Sequence, residues 1–203
     1  MLAVHTETAT GIRPPEASCF SIAQHDSAIR HNLESRIRSG FGHHFDACIE
    51  SFMPDLAVYQ HVSGAHGVIG IRGASDEQLF LETYLNQPIE SVIGDIVRQP
   101  ILRSAIVEVG QFIVDDKAII PDFFRDLVPF LQSRNYQWIS FTATNRVQSL
   151  LTRVRFSGKA IAAATLDRIG NDVKNWGRYY EFDPCVIVGK LSDPQGKWIM
   201  DTE

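Results

Sequence analysis

Two apolar runs separated by an amphipathic segment of helix length constrain this chain more than any other feature. Ala105 to Val114 (AIVEVGQFIV) is too short and too rich in β-branched residues to prefer a helix, so it reads as a central strand. Pro121 suits the first position of a helix, and Ile120, Phe123, Phe124, Leu127 and Leu131 then recur at spacings of three and four. Gln137 to Ala143 (QWISFTA) is a second buried strand, and Val147, Leu150, Leu151 and Val154 supply the inner face of another helix. This order implies a right-handed crossover between parallel strands, with the carboxyl ends of 105–114 and 137–143 on one sheet edge. In open α/β sheets that edge is the usual ligand crevice. Gly110 marks a bulge in the first strand. Pro129 removes a backbone hydrogen bond inside the first helix, so the helix kinks there or ends early.

The remaining segments extend the same sheet. Ser18 to Ile22 reads as a short strand, and His25 to Phe41 as a helix burying Ile29, Leu33, Ile37 and Phe41 in one stripe. Leu56 to Val62 and Gly67 to Arg72 form a hairpin across Ser63-Gly64-Ala65-His66. Leu79 to Leu85 is either a strand or a short helix, and Ile161 to Thr165 and Pro184 to Leu191 close the sheet beyond a polar loop at Gly170 to Arg178. With 203 residues, 44% of them hydrophobic, the chain is long enough for one core, expected over 18–203, preceded by a flexible arm at 1–17 that is small, polar and proline-terminated.

Composition excludes several function classes. The formal charge of -5 offers no broad positive field, so nucleic acid is not an expected partner. The arginines Arg146, Arg153 and Arg155 read as the solvated face of a helix. Cys19, Cys48 and Cys185 match no disulfide framework and no metal pattern, and read as reduced, partly buried thiols. The first residues lack a basic and apolar leader, and no apolar stretch is long enough to span a membrane, so a cytoplasmic protein is expected. There is no nucleophile elbow, Walker loop or dinucleotide fingerprint, and His43 and His44 are adjacent rather than at metal-ligand spacing; they read as surface histidines.

Four places carry residue types suited to chemistry. Glu108 falls inside an apolar run, where desolvation raises a carboxyl pKa toward that of a general base unless a cation or donors answer it; the alternative is a glutamate paired for architecture. Gln111 lies on the opposite face of an unbroken strand, and a bulge would return it to the side of Glu108. Thr142, Thr144 and Asn145 stand where a strand hands over to a helix, as caps or as a site for an anion or amide. Trp176, Arg178, Tyr179 and Tyr180 gather rings, a fixed cation and phenols in one segment, while Glu77, Glu82 and Tyr84 form a looser cluster able to receive an amine or simply to be solvated.

Together Leu79 to Glu90, Ile106 to Gly110, Trp138 to Thr144 and Trp176 to Tyr180 resemble the bacterial thermostable hemolysins over about residues 20–191. That resemblance implies an α/β, GNAT-like (acyl-CoA N-acyltransferase) fold with a mixed, partly splayed sheet flanked by helices, similar also to acyl-homoserine-lactone synthases. In such folds two parallel strands part to admit a pantetheine arm. By resemblance these are 105–114 and 137–143, with backbone groups at Phe112, Ile113 and Val114 holding the donor. The implied activity is transfer of an acyl group from acyl-CoA or acyl-carrier-protein phosphopantetheine to an amine, with no tightly bound cofactor, Glu108 as base and Tyr179 or Tyr180 as acid. The sequence departs from the acetyltransferase pattern at Asp115 to Ile120, which lacks the glycine-rich loop for a CoA pyrophosphate, at Leu151, which stands where a tyrosine acid is common, and at Arg155, which stands in place of a glycine. A membrane-active lytic protein, as the family name says, and a non-catalytic acyl sensor are the alternative expectations, and homodimerisation is left open.

Overall fold

The computed structural model describes residues 17–153, 156, 158–170 and 175–191. The expectations for residues 1–16 of the arm, for Val154 and for Arg155 lie outside the described residues.

Seven strands form one sheet: β1 (Cys19–Ile22), β2 (Asp55–Gln60), β3 (His66–Gly73), β4 (Ile106–Val114), β5 (Trp138–Ala143), β6 (Lys159–Ala163) and β7 (Cys185–Lys190). Their order is β1-β2-β3-β4-β5-β7-β6. Every neighbouring pair is antiparallel except β4 and β5, which are parallel. The sheet is thus mixed, and the crossover read from the sequence supplies its one parallel pair.

Alternation along the strands sorts side chains onto two faces. Ala57, Tyr59, Val107, Val109, Ile139, Phe141 and Ile187 pack beneath α3 (Ile120–Ser133) and α4 (Asn145–Arg153). The other face packs Leu56, Val58 and Val68 against α1 (Ala28–Phe45), and Ile106, Trp138, Val186 and Val188 against α2 (Ile89–Val97). Ser27 caps α1 by accepting a hydrogen bond from the Arg30 amide at 3.1 Å, which is why that helix starts after His25. Its buried residues are Leu33, Ile37 and Phe41, whereas Ile29, in the first turn, is 62% exposed.

Helix α3 continues through Pro129 to Ser133. The carbonyl that the proline leaves without an amide belongs to Arg125, and both residues are exposed, so water can satisfy it. Leu79 to Leu85 resolves as a 3-10 turn over Phe80–Tyr84. The strand expected at Ile161 to Thr165 lies two residues earlier, because Thr165 instead leads into a turn at Leu166–Arg168. Helix α2 has no counterpart in the sequence reading: its β-branched run disfavours helix locally, and burial of Ile89 and Ile93 after Pro88 decides the matter. Cys19 and Cys48 are exposed and Cys185 is half-buried, all three as free thiols, so only Cys185 fits the partly buried expectation.

Phe123 is fully buried among Phe20, Tyr59, Phe112 and Phe124. Phe123→Ala is expected to lower the free energy of unfolding by about 3–5 kcal/mol, read from urea denaturation midpoints.

Candidate functional site

Strands β4 and β5 part company soon after they meet. Their ladder joins Ile106 to Trp138, Val107 to Ile139 and Glu108 to Ser140, and goes no further. Both strands continue, β4 to Val114 and β5 to Ala143, and β5 then pairs with β7 alone. Beyond Glu108 the facing edge of β4 has no strand partner among the described residues, so its backbone groups are left for something else to satisfy. Ser140, fully buried at the apex of the wedge, donates its hydroxyl to the Val107 carbonyl at 3.0 Å.

A bulge bends β4 just past the apex. Gly110 pairs with Gly70 and Ile113 with Val68, so Gln111 and Phe112 together oppose Ile69. The extra residue centres on Gln111, at φ 53°, and not on Gly110 as the sequence suggested. Left-handed backbone is costly for glutamine, but its side chain offsets the cost with two bonds. Gln111 Oε1 accepts the Met53 amide at 3.0 Å, and Nε2 donates to the Ser51 carbonyl at 2.9 Å. The bulge therefore does return Gln111 to the side of Glu108, but there it clamps the segment before β2. Phe112 turns to the opposite face against Phe123 and Phe124, while Ile113 packs against Gly40 of α1 and Val114 pairs with Gly67.

Glu108 is 3% exposed. Its Oε2 accepts the Phe80 amide at 2.9 Å and lies 3.4 Å from Arg72 Nη1; its Oε1 accepts the Leu81 amide at 3.0 Å. Burial pushes the carboxyl pKa up, and the Arg72 guanidinium and the two amides oppose that push without cancelling it. Counting two lone pairs per oxygen, Oε1 retains one acceptor position. Arg72, which the sequence reading did not single out, also approaches Glu77 Oε1 at 2.7 Å through Nε, as an ion pair too bent to count as a hydrogen bond. Only its place directly across from Glu108 in the β3–β4 register would have marked it.

Glu82 is occupied differently. Its oxygens take Arg103 Nη1 and Nη2 at 2.6 and 2.7 Å, the Leu79 amide at 3.0 Å and the Ile89 amide at 2.9 Å. Burial disfavours its charge, but Arg103 and the two amides outweigh burial and hold its pKa below the ordinary 4.5. These four donors fill the carboxylate, so Glu82 fastens the 3-10 turn to α2 and leaves little capacity for an amine. Glu90 joins it on Arg103 at 2.6 Å.

The aromatic residues do gather. Trp176 stacks on Phe80 with centroids 5.4 Å apart, beside Tyr179 at 5.3 Å and Tyr180 at 6.3 Å. The hydroxyls of Tyr84 and Tyr180 meet at 2.5 Å, and burial first, then that bond, pushes the Tyr84 phenol pKa up. Tyr179 donates to the Thr142 carbonyl at 3.3 Å, tying the cluster to β5 beside the wedge; burial pushes its pKa up as well. Arg178 stays outside, exposed and paired with Glu181 at 2.8 Å. Thr144 is buried at the start of α4, its carbonyl accepting the Gln148 amide at 2.9 Å, while Asn145 is exposed. At the turn leaving β4, Asp116 Oδ1 accepts the Ala118 amide at 2.8 Å.

Among the described residues no group of His, Cys, Asp and Glu is arranged to hold a metal, and no helix is long and apolar enough to cross a membrane. A family model described as thermostable hemolysin matches residues 23–194. No match to the sequence was found among curated proteins. Among solved structures, the AHL synthase LasI aligns at a TM-score of 0.54 and 9% identity, covering 91% of this chain and 98% of that one. FeeM, an N-acyl amino acid synthase from uncultured soil microbes, aligns at 0.56 and 12% identity, covering 90% and 96%. At such identities the likeness is one of fold, and the fold is of the GNAT type.

Gln111→Ala should cost about 1–3 kcal/mol, because it removes both bonds and leaves the Met53 amide without its partner; an unchanged chemical denaturation curve would contradict the clamp. The folded pKa of Glu82 lies below its unfolded value, so its contribution is present above about pH 4.5 and is lost as pH falls through the folded value. Melting temperatures from pH 7 to pH 3 should show Glu82→Gln less stable at neutral pH and less sensitive to acid than the wild type.

Proposed function

Given that the chain belongs to the thermostable hemolysin family and folds as a GNAT-type protein, we propose that it transfers an acyl group from a thioester to an amine. The observation that carries this is the early end of the β4–β5 ladder at Glu108 and Ser140, which frees a stretch of β4 backbone to bond the amides of a linear pantetheine arm. The amine nitrogen attacks the thioester carbonyl, and those amide groups of Phe112 to Val114 that face away from β3 stabilise the oxyanion that forms. Glu108 takes the amine proton, directly or through a water at the open position of Oε1, and its raised pKa makes it a stronger base than an ordinary carboxylate. The carbon–sulfur bond then breaks, and Tyr180, hydrogen-bonded to Tyr84, returns a proton to the departing thiolate. Tyr84 and Trp176 shape the acceptor side, with Thr142 and Thr144 on the β5 side of the donor.

The donor in this reading is an acyl carrier protein. CoA would bring a pyrophosphate to the turn after β4, where backbone donors are needed; instead Asp115 and Asp116 stand there, and Asp116 already occupies the Ala118 amide. A carrier-protein thioester has no pyrophosphate to place. The same reading puts the protein in the cytoplasm, where such thioesters are made.

Free thiol should appear when the protein is mixed with acylated carrier protein and a panel of amines, and more slowly with acyl-CoA of the same chain length. Acyl-CoA turning over faster would reverse the donor assignment. Glu108→Gln should reduce turnover by about 100-fold or more; a folded variant with an unaltered rate removes the carboxylate from proton transfer.

A further inference from the structure

The end of β2 and the first turns of α3 meet at a cluster that the acyl-transfer reading does not use. Two residues along a strand advance about 6.6 Å and four along a helix about 6 Å, so Tyr59 and His61 can face Asp126 and Asp122 as two rungs of one ladder. They do: Tyr59 donates its hydroxyl to Asp126 Oδ2 at 2.7 Å, and His61 Nε2 lies 3.2 Å from Asp122 Oδ2. The other oxygen of Asp122 is held by Arg125, which also bonds Asp126 at 3.0 Å. Past His61 the chain turns through Ser63 and Gly64, and Ser63 Oγ comes back to lie 2.8 Å from His61 Nδ1. Serine, histidine and aspartate thus stand in one hydrogen-bonded line.

Backbone geometry fixes which way the protons run. The Ser63 amide also points at His61 Nδ1, at 3.2 Å, and an amide can only donate. Nδ1 is therefore the unprotonated nitrogen, the ring proton sits on Nε2, and Nε2 donates it to Asp122. The Ser63 hydroxyl in turn donates to Nδ1. A base in hydrogen-bond reach of a hydroxyl, held in that tautomer by a carboxylate, is the arrangement that activates a serine. Ser63 is exposed and His61 half-buried, so the reacting oxygen faces solvent while its base is held in place. The turn is open as well: no atom lies within 4 Å of where a β-carbon on Gly64 would stand.

We propose that Ser63 is a nucleophile toward small, activated carboxylic esters, with His61 as its general base and Asp122 positioning His61. Ser63 Oγ bonds to the carbonyl carbon as its proton moves to His61 Nδ1; the bond from that carbon to the leaving oxygen breaks, and the leaving oxygen takes the proton. Water, deprotonated by His61 in the same way, then cleaves the acyl-serine to a carboxylic acid and restores the hydroxyl. The Val62 and Gly64 amides are bonded to Ser18 Oγ and the His61 carbonyl, which leaves the Ala65 amide, 3.4 Å from Ser63 Oγ, as the donor of this turn placed to meet an oxyanion. One long bond stabilises it weakly, so turnover is slow and the acyl-serine accumulates. These residues are separate from the wedge, and the site stands or falls independently of the acyl-transfer reading.

Stopped-flow release of p-nitrophenolate from p-nitrophenyl acetate by the full chain tests it, with the acetylated residue mapped by peptide mass spectrometry. A burst of about one equivalent followed by a slow steady rate is expected, with the acetyl group on Ser63. Ser63→Ala should abolish the burst, and His61→Gln should slow it by about 100-fold or more, each with the melting transition retained. The Nε2–H tautomer of His61, read from the NMR shifts of its ring nitrogens, should be lost in Asp122→Asn together with the burst; a burst that persists there at the same rate removes the carboxylate from the site. Acetyl on the exposed thiols of Cys19 or Cys48 instead of Ser63, no burst in the wild type, or the same burst in Ser63→Ala overturns the nucleophile.

Discussion

A carboxylate buried in the sheet has to be answered by donors, and the way Glu108 is answered organises this molecule. It is the last residue of β4 to pair with β5, and it faces the side of the sheet where the chain must return from β3. Its oxygens collect the Phe80 and Leu81 amides and the Arg72 guanidinium. The 3-10 turn is thereby held at the point where the two parallel strands begin to separate. Removing one of these donors would leave charge without compensation, a larger penalty than the bond itself is worth. The same enclosure that makes the residue architectural also raises its proton affinity.

Two further devices keep the separation from collapsing. The bulge at Gln111 bends β4 and commits its side chain to Ser51 and Met53, so the strand is tied to the segment leading into β2 rather than free to realign with β5. On the other side, β5 is occupied along its full length by β7. Backbone that would otherwise close the sheet is therefore engaged on its outer edges only. The aromatic segment spans the gap above: Trp176 rests on Phe80, and Tyr179 reaches the Thr142 carbonyl.

Much of this was legible in the sequence because it is encoded by local periodicity. The runs at 105–114 and 137–143, the stripe from Ile120 to Leu131 and the hairpin at 56–72 all correspond to observed elements. Helix α2 was not legible, since Ile89 to Val97 is helical through burial and not through propensity. The candidate residues divide along similar lines. Glu108, Tyr84, Trp176, Tyr179 and Tyr180 do converge near the wedge, as their desolvated or aromatic character suggested. Glu82 and Arg178 do not join it in the role imagined, because what occupies them, Arg103 and Glu181, depends on contacts that spacing cannot reveal. Arg72 and Arg103 escaped notice for the same reason. An arginine in a strand or loop carries no sign of which buried carboxylate it will meet.

Gly177 shows how the aromatic segment is fastened. Its φ of 50° brings it so close to the Phe45 and Asp46 carbonyls that no β-carbon would fit, and on either side the Arg178 amide donates to Phe45 at 2.6 Å and the Cys48 amide to Asn175 at 2.9 Å. The segment is yoked to the end of α1 at two points, like a hinge leaf screwed to its frame. Any movement that lifts Trp176 must therefore tug on that helix or break backbone bonds. The aromatic segment is thus mechanically geared to α1, and its displacement would be felt along that helix.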